Sequence, residues 1–171
     1  PTPTFDLKRL DKPAIPEIPA QVDHGQIVYW GICLACHGDR GQGLTDEWRY
    51  GAFGEDADCW QSGCHGKDHP PTGFEIPKTL TIPPLATLGA MGRFENAQQL
   101  YEYVVVMMPW WKPNSLGEEK AWQVTAYLLK LRGSYPEGIT LDVNNASAVP
   151  VHRSVSLPQN QLPAVYFFLG T

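Results

Sequence analysis

The sequence predicts a mainly α-helical domain with long irregular segments between its helices. Three stretches carry apolar residues at helical spacing: Val22 to His37, Asn96 to about Met107, and Ser115 to Gly133. Signals for β-strands are weak in the rest of the chain. Sixteen glycines and sixteen prolines among 171 residues exceed the average combined usage of about 12%, which indicates extended non-repetitive segments.

The length predicts a single domain with appendages, and the composition divides it into three parts. Residues 1–21 contain five prolines, which preclude a regular helix, and are predicted to form an extended arm. Residues 22–133 form the helical domain, with an irregular insertion at about 44–82. Residues 134–171 are predicted to be an extended tail that ends in an apolar run, 164–169.

Several residues indicate where the helices begin, end and pack. Asp23 is predicted to cap the first helix, and Gly25 within that helix suggests a close approach of another backbone. Asn96 opens the second helix, and Pro109 ends it because proline cannot continue the hydrogen-bond ladder. The segment Ser115–Glu118 fits a capping box for the third helix, which is predicted to stop near position 133.

Charge and hydropathy argue against two classes of protein, nucleic-acid binders and proteins that span a membrane. The formal net charge is −5 and the sequence pI is about 5.5, without a basic stripe, which argues against binding to nucleic acid. No uninterrupted apolar run approaches the ~18 residues that a membrane-spanning helix needs. The sequence therefore predicts a globular chain without a membrane span of its own.

One short motif carries the strongest chemical signal. Cys33, Cys36 and His37 form Cys-x-x-Cys-His, the attachment signature of c-type haem. Two thiols one helical turn apart can add to the two vinyl groups of the macrocycle, and the adjacent imidazole can then bind the iron. A zinc site would need a second pair of ligands at finger-like spacing, and a thioredoxin-like thiol pair would need a βαβ unit. The motif therefore predicts one covalent haem c, with His37 as an axial ligand.

The second axial ligand is predicted to be Met108. This residue lies at the end of the second helix, next to Pro109, and a thioether ligand favours reduced iron and raises the potential relative to a second imidazole. The competing interpretation is that Met107 and Met108 fill the core, as methionine commonly does. If the sixth position were open instead, the chain would be a haem enzyme. Trp110 carries an indole N–H that could donate to a haem propionate.

The part of the chain from about Val22 to Gly133 resembles the class I c-type cytochromes. In that family a glycine and an aromatic residue precede the haem motif, as Gly25 and Tyr29 do here. The segment Pro83-Pro84-Leu85 is similar to the family's Pro-x-Leu, which implies that the Pro83 carbonyl accepts a hydrogen bond from the axial histidine.

Two further segments extend the resemblance. The run Met108-Pro109-Trp110 is similar to the family's Met-Pro-aromatic, and Ala126-Tyr127-Leu128 is similar to its final helix, which packs on the first helix near the glycine. The insertion and the two tails depart from the family pattern. The resemblance implies a class I cytochrome fold around one haem and a function in one-electron transfer rather than catalysis.

The tails suggest a subunit that wraps around other chains, and the whole chain is similar to the monohaem cytochrome subunit of alternative complex III. That assembly is a bacterial quinol-oxidising membrane complex that passes electrons to a periplasmic carrier. The resemblance implies other redox subunits and a soluble cytochrome or copper protein as partners. It also implies a location in the periplasm or on the extracytoplasmic face of a membrane.

A second cysteine pair lies in the insertion, as Cys59 and Cys64 followed by His65. Three interpretations remain open for it. A disulfide would suit the oxidising compartment in which haem c is attached. A second haem would need more apolar lining than Trp60 and Phe74 provide, and zinc could use both thiols together with His65 and His69.

Overall fold

The computed structural model describes residues 5–87 and 89–152, so the apolar run 164–169 predicted for the tail lies outside the described residues. The described residues form five helices, α1 (Gln21–Val28), α2 (Leu34–His37), α3 (Asp46–Phe53), α4 (Ala97–Met107) and α5 (Glu118–Leu131). Short 3-10 turns lie at Leu7–Leu10 and Ala146–Ala148. In these ranges the sole β pairing is an isolated bridge, and no helix is long and apolar enough to cross a membrane. The predicted mainly helical class is confirmed.

The haem-motif cysteines lie on a continuous helical path. A π-helical turn, Tyr29–Cys33, joins α1 to α2, so the chain stays helical from Gln21 to His37. The prediction of Asp23 as the N-cap is wrong, because Ala20 occupies that position. Asp23 lies within the first turn, where its carboxylate accepts a hydrogen bond from the Ala20 N–H at 2.9 Å.

The close packing predicted at Gly25 is present and sets the crossing of α1 and α5. A Cβ at this position would lie far inside van der Waals contact with the carbonyl oxygen of Gln123 on α5. Beside this contact the rings of Tyr29 and Tyr127 pack with their centroids 5.1 Å apart. The two helices can therefore approach closely only because position 25 has no side chain.

The ends of α4 follow the sequence prediction, whereas the start of α5 does not. Asn96 caps α4 by accepting a hydrogen bond from the Gln99 N–H at 3.1 Å, and Met108 is the first residue beyond the helix. The capping box predicted for Ser115–Glu118 is wrong, since α5 begins at Glu118 without a side-chain cap. Gly117, with φ of 73°, turns the chain into the helix instead, in a left-handed conformation that glycine adopts readily.

The insertion contains one helix that the sequence did not indicate. Thr45 caps α3 through a hydrogen bond from the Trp48 N–H, and the Trp48 side chain is fully buried. Its indole N–H donates to the carbonyl of Ala35, within the haem motif, at 3.1 Å. The rest of the insertion is irregular, as predicted. The Trp48 hydrogen bond connects the insertion to the motif.

The N-terminal arm lies against the same part of the molecule. The Arg9 guanidinium forms an ion pair with Asp39 at 2.6 Å and with Glu47 at 2.5 Å. The Trp30 indole N–H donates to the carbonyl of Leu10 at 3.0 Å. The arm is thus tied both to the loop that follows the motif and to α3.

The described part of the C-terminal tail, 134–152, lies along the helical domain. The amide of Gln21 exchanges two hydrogen bonds with the backbone of Leu141, at 2.8 and 2.9 Å. The Val151 N–H donates to the Glu95 carbonyl at 3.1 Å. Leu141 and Val151 are both fully buried, so this segment completes the core.

The Gly25 contact predicts a large stability loss on substitution. Gly25→Ala should lower the free energy of unfolding by at least the 1–3 kcal/mol typical of overpacking, because its methyl group would meet backbone rather than a movable side chain. Urea unfolding of the purified protein would measure the change. Gly31→Ala is the matched control, since nothing lies within 4 Å of the added methyl group, and it should stay close to wild type. Equal losses in the two variants would contradict this account.

The Arg9 ion pairs predict a pH-dependent contribution to stability. Burial acts to raise the pKa of Asp39, but hydrogen bonds from Arg9 and Gln42 outweigh it and the net shift is downward. The stabilisation is complete above the unfolded carboxyl pKa of about 3.9 and is lost as pH falls through the lowered folded value. Arg9→Gln should therefore cost about 1–3 kcal/mol at neutral pH and less in acid. Denaturant titrations at neutral pH and below the unfolded carboxyl pKa of about 3.9 would measure the difference. The control is Lys8→Gln, which removes the same charge at an exposed position.

Candidate functional site

The described residues enclose a cavity of about 990 Å³ between α4, α5, the motif and the end of the insertion. Its lining is predominantly apolar and includes side chains from each of these segments. Six residues predicted from the sequence as haem contacts all line it, namely Cys33, Cys36, His37, Pro83, Met108 and Trp110. The structure thus brings together residues that are up to 77 positions apart in the chain.

His37 ends α2 with its ring held in one orientation. Its Nδ1 lies 3.2 Å from the carbonyl oxygen of Pro83, the contact that the family resemblance implied. Because a carbonyl oxygen only accepts, Nδ1 carries the proton and the Nε2 lone pair remains free for a metal. Burial lowers the pKa of His37, partly offset by the Pro83 contact, so the ring is neutral at neutral pH. Neutral imidazole is the form that ligates iron.

The two thiols of the motif are protonated in this environment. Burial, and to a smaller extent the charge of the neighbouring Cys36, raises the pKa of Cys33 to about 12. Burial also raises the pKa of Cys36, and Cys59 in the insertion raises it by a smaller amount. Neither sulfur is bonded to another cysteine. Both therefore retain the S–H groups that thioether formation consumes.

The methionine next to the helix end lines the cavity, whereas its neighbour does not. Met108 is half-buried and contributes to the cavity wall, while the Met107 side chain is 43% exposed and lies outside it. Trp110 also lines the cavity, and its bond to a haem propionate stays a prediction. The site therefore offers two thiols, an oriented imidazole and a thioether. These donors, surrounded by an apolar wall, fit a c-type haem.

Hydrogen bonds hold the loop after the motif against the π-helical turn that follows α1 and against the segment that orients His37. The Tyr29 hydroxyl, which is buried, donates to the carbonyl of Gly38 at 2.7 Å. The Gly41 carbonyl accepts from the N–H groups of Leu85 and Ala86 at 2.6 and 3.1 Å. The loop after the motif and the segment that contains Pro83 are thus held side by side.

Arg132, at the end of α5, is a structural residue that the sequence reasoning missed. Its guanidinium donates to the carbonyls of Leu85, Thr87 and Val151 at 2.7, 3.3 and 3.3 Å. Another of its N–H groups faces Nδ1 of His152 at 3.0 Å. Burial lowers the pKa of Arg132. A single arginine at a helix end carries no sequence signal for such a role, because a basic residue there also suits the helix dipole.

The insertion contributes to the cavity wall, which the sequence did not indicate. Phe74, Ile76 and Leu80 line the cavity from the end of the insertion. Phe74 stacks on Trp111 with ring centroids 5.2 Å apart and planes 9° from parallel. The end of the insertion is thus part of the cavity wall.

The second cysteine pair does not line this cavity. Cys59 is half-buried and Cys64 is exposed, and no disulfide joins them. Across 5–87 and 89–152, no three or more Cys, His, Asp or Glu side chains are arranged to hold a metal ion, so the zinc arrangement is not assembled. The disulfide remains a prediction that the structure does not display.

Comparisons with known proteins show limited similarity. No protein-family model matches the chain, and no curated protein sequence matches it. Among solved structures it resembles the sulfane dehydrogenase SoxCD from Paracoccus pantotrophus, at 22% identity and a TM-score of 0.46 over 75% of this chain. It also resembles the thiosulfate dehydrogenase TsdBA from Marichromatium purpuratum, at 20% identity and a TM-score of 0.38 over 69% of this chain. The chain spans 52% and 19% of those two chains, respectively.

The Arg132 contacts predict a measurable loss when the guanidinium is shortened. Arg132→Lys should reduce the free energy of unfolding by about 1–3 kcal/mol, because one ammonium group cannot reach all of these acceptors and buried carbonyls lose their partners. Denaturant titration provides the measurement. Lys130→Ala, at an exposed position of the same helix, is the control and should change stability by less than about 0.5 kcal/mol. A wild-type value for Arg132→Lys would contradict the assigned role.

Proposed function

We propose that this chain is a one-electron carrier that holds a c-type haem through thioether bonds at Cys33 and Cys36, with His37 and Met108 as axial ligands. The observation that carries the proposal is the shared cavity. The two thiols, the imidazole and the thioether all line it, and the Pro83 carbonyl orients the imidazole. When bound, such a haem supplies reversible one-electron chemistry at iron.

The residues of the chain have distinct tasks in this proposal. His37 presents Nε2 to the iron because Nδ1 is engaged by Pro83. Met108 supplies a neutral sulfur, which favours the reduced state. The apolar side chains around the cavity exclude water and lower the local dielectric, which tunes the potential further.

With both axial positions filled by protein, the site has no position for a substrate. The Met108 side chain lines the cavity, which favours electron transfer over a haem enzyme with an open sixth position. The proposed role is therefore that of an electron-transfer protein, including as a subunit of an oxidoreductase complex.

The proposed partners are other redox subunits of a membrane complex and a soluble cytochrome or copper protein. Met107, Trp110 and Trp111 are exposed beside the cavity and provide an apolar surface on which such a partner can dock. Membership of a quinol-oxidising assembly such as alternative complex III, on the extracytoplasmic face of a membrane, rests on the sequence resemblance.

The axial ligation is tested by replacing each of the two neighbouring methionines with leucine. The ferric wild-type protein should show the weak far-red band that methionine ligation produces. Met108→Leu should lose this band and should bind cyanide rapidly when ferric and carbon monoxide rapidly when ferrous. Met107→Leu is the matched control and should keep the wild-type spectrum, because its side chain lies outside the cavity. Optical spectra with and without added ligand make the measurement. A colourless wild-type protein, or an unchanged band in Met108→Leu, would contradict the proposal.

A further inference from the structure

The second cysteine motif is not used by the proposed function. We propose that Cys59 and Cys64 bind a second haem through thioether bonds, with His65 as a ligand to its iron. This inference extends the proposed function from one haem to two. It rests on the ring orientation of the histidine, the geometry of the loop and two buried donors beside it.

The His65 ring is held in the same manner as the His37 ring. Its Nδ1 lies 3.0 Å from the carbonyl oxygen of Phe74, and the corresponding distance for His37 and Pro83 is 3.2 Å. In both cases the acceptor is a backbone carbonyl in a later segment of the chain, so Nδ1 is the donor and Nε2 is free to bind a metal. Phe74 also packs on the His65 ring, at 4.4 Å between centroids, which fixes its plane.

The backbone of the loop is closed across the motif despite the longer spacing between its cysteines. The His65 N–H donates to the Cys59 carbonyl at 3.1 Å, so the backbone closes on itself across the motif. The two additional residues between the cysteines are accommodated by a turn, in which the N–H groups of Cys64 and Gly66 both donate to the Gln61 carbonyl. The loop is thus a compact structure without a sulfur–sulfur bond.

Two buried donors beside the motif have no acceptor within the described part of the chain. The indole N–H of Trp60, which follows Cys59 directly, is one, and Nε of Arg49 is the other. The Arg49 guanidinium lies 5.9 Å from the centre of the Trp60 ring. An unsatisfied buried donor costs about 1–3 kcal/mol, so this pair favours a ligand that carries acceptor oxygens. Haem propionates supply such oxygens, whereas a Cys59–Cys64 disulfide supplies none.

The second motif lies close to the first. The Ile76 N–H donates to the His65 carbonyl at 2.7 Å, and the Ile76 side chain lines the main cavity. The aromatic series His65, Phe74 and Trp111, with centroid separations of 4.4 and 5.2 Å, connects the loop to the wall of the main cavity. Haems attached to the two motifs would therefore be neighbours, and Ile76 and Trp111 add apolar surface beside the second motif to that of Trp60 and Phe74.

The attachment chemistry is balanced without any further reagent. Each cysteine S–H adds across one vinyl C=C of the haem, so that one S–C and one C–H bond form while the vinyl π bond is consumed. Nothing leaves, and the oxidation state of the iron is unchanged. The reaction is the same addition that the first motif undergoes under the proposed function.

The number of covalent haems tests the inference on the intact chain. We would produce the 171-residue chain in a host that attaches haem c, then measure its intact mass and its haem content by the pyridine haemochrome assay. The expected mass is that of the chain plus two haems. A mass corresponding to one haem, whether Cys59 and Cys64 are oxidised to a disulfide or remain alkylatable thiols, would overturn the inference.

Paired variants assign each haem to its motif. Replacing both Cys59 and Cys64 with alanine should leave one haem, and so should replacing both Cys33 and Cys36. Ser62→Ala, at an exposed position within the loop, is the matched control and should keep two. If the wild type carries a single haem that only the Cys33 and Cys36 replacements remove, the inference fails while the proposed function stands. A chain without covalent haem would overturn both.

Discussion

The close approach of α1 and α5 at Gly25 is the constraint on which the rest of the structure depends. The missing side chain lets the backbone of Gln123 reach the first helix, and this fixes the direction in which the helix enters the haem motif. The π-helical turn Tyr29–Cys33 then continues the path, so the two thiols and His37 emerge at the wall of the cavity. A shift of α1 would move all three donor atoms together, because they belong to one rigid helical segment.

The insertion and the N-terminal arm support the same region. Trp48 in α3 donates to the backbone of Ala35 in the motif, and the arm reaches the following loop through Arg9. The end of the insertion adds Phe74 and Ile76 to the cavity wall. The end of the insertion thus lines the site directly, while the arm and α3 hold the motif and the loop that follows it.

The sequence predicted those features that depend on local chemistry. Asn96 as a cap, Pro109 as a helix end, and the set of Cys33, Cys36 and His37 follow from the properties of the residues themselves. The contact of Pro83 with His37 was implied by resemblance and not by any local pattern. Apart from the close approach at Gly25, features that depend on distant parts of the chain were not predicted from local patterns. The roles of α3 and Arg132 arise from tertiary contacts, and the Ser115 cap was wrong because a glycine turn serves the same end of the helix.

The pair of hydrogen bonds between Gln21 and Leu141 has a consequence for the order in which the domain folds. The first helix of the domain is fastened by a residue 120 positions later, and Val151 closes the same core on the other side. During synthesis the motif therefore leaves the ribosome long before the segment that completes its surroundings. Until that later segment folds back, the core around the motif is incomplete, and the helix that carries the two cysteines lacks the Gln21 hydrogen bonds that hold its start.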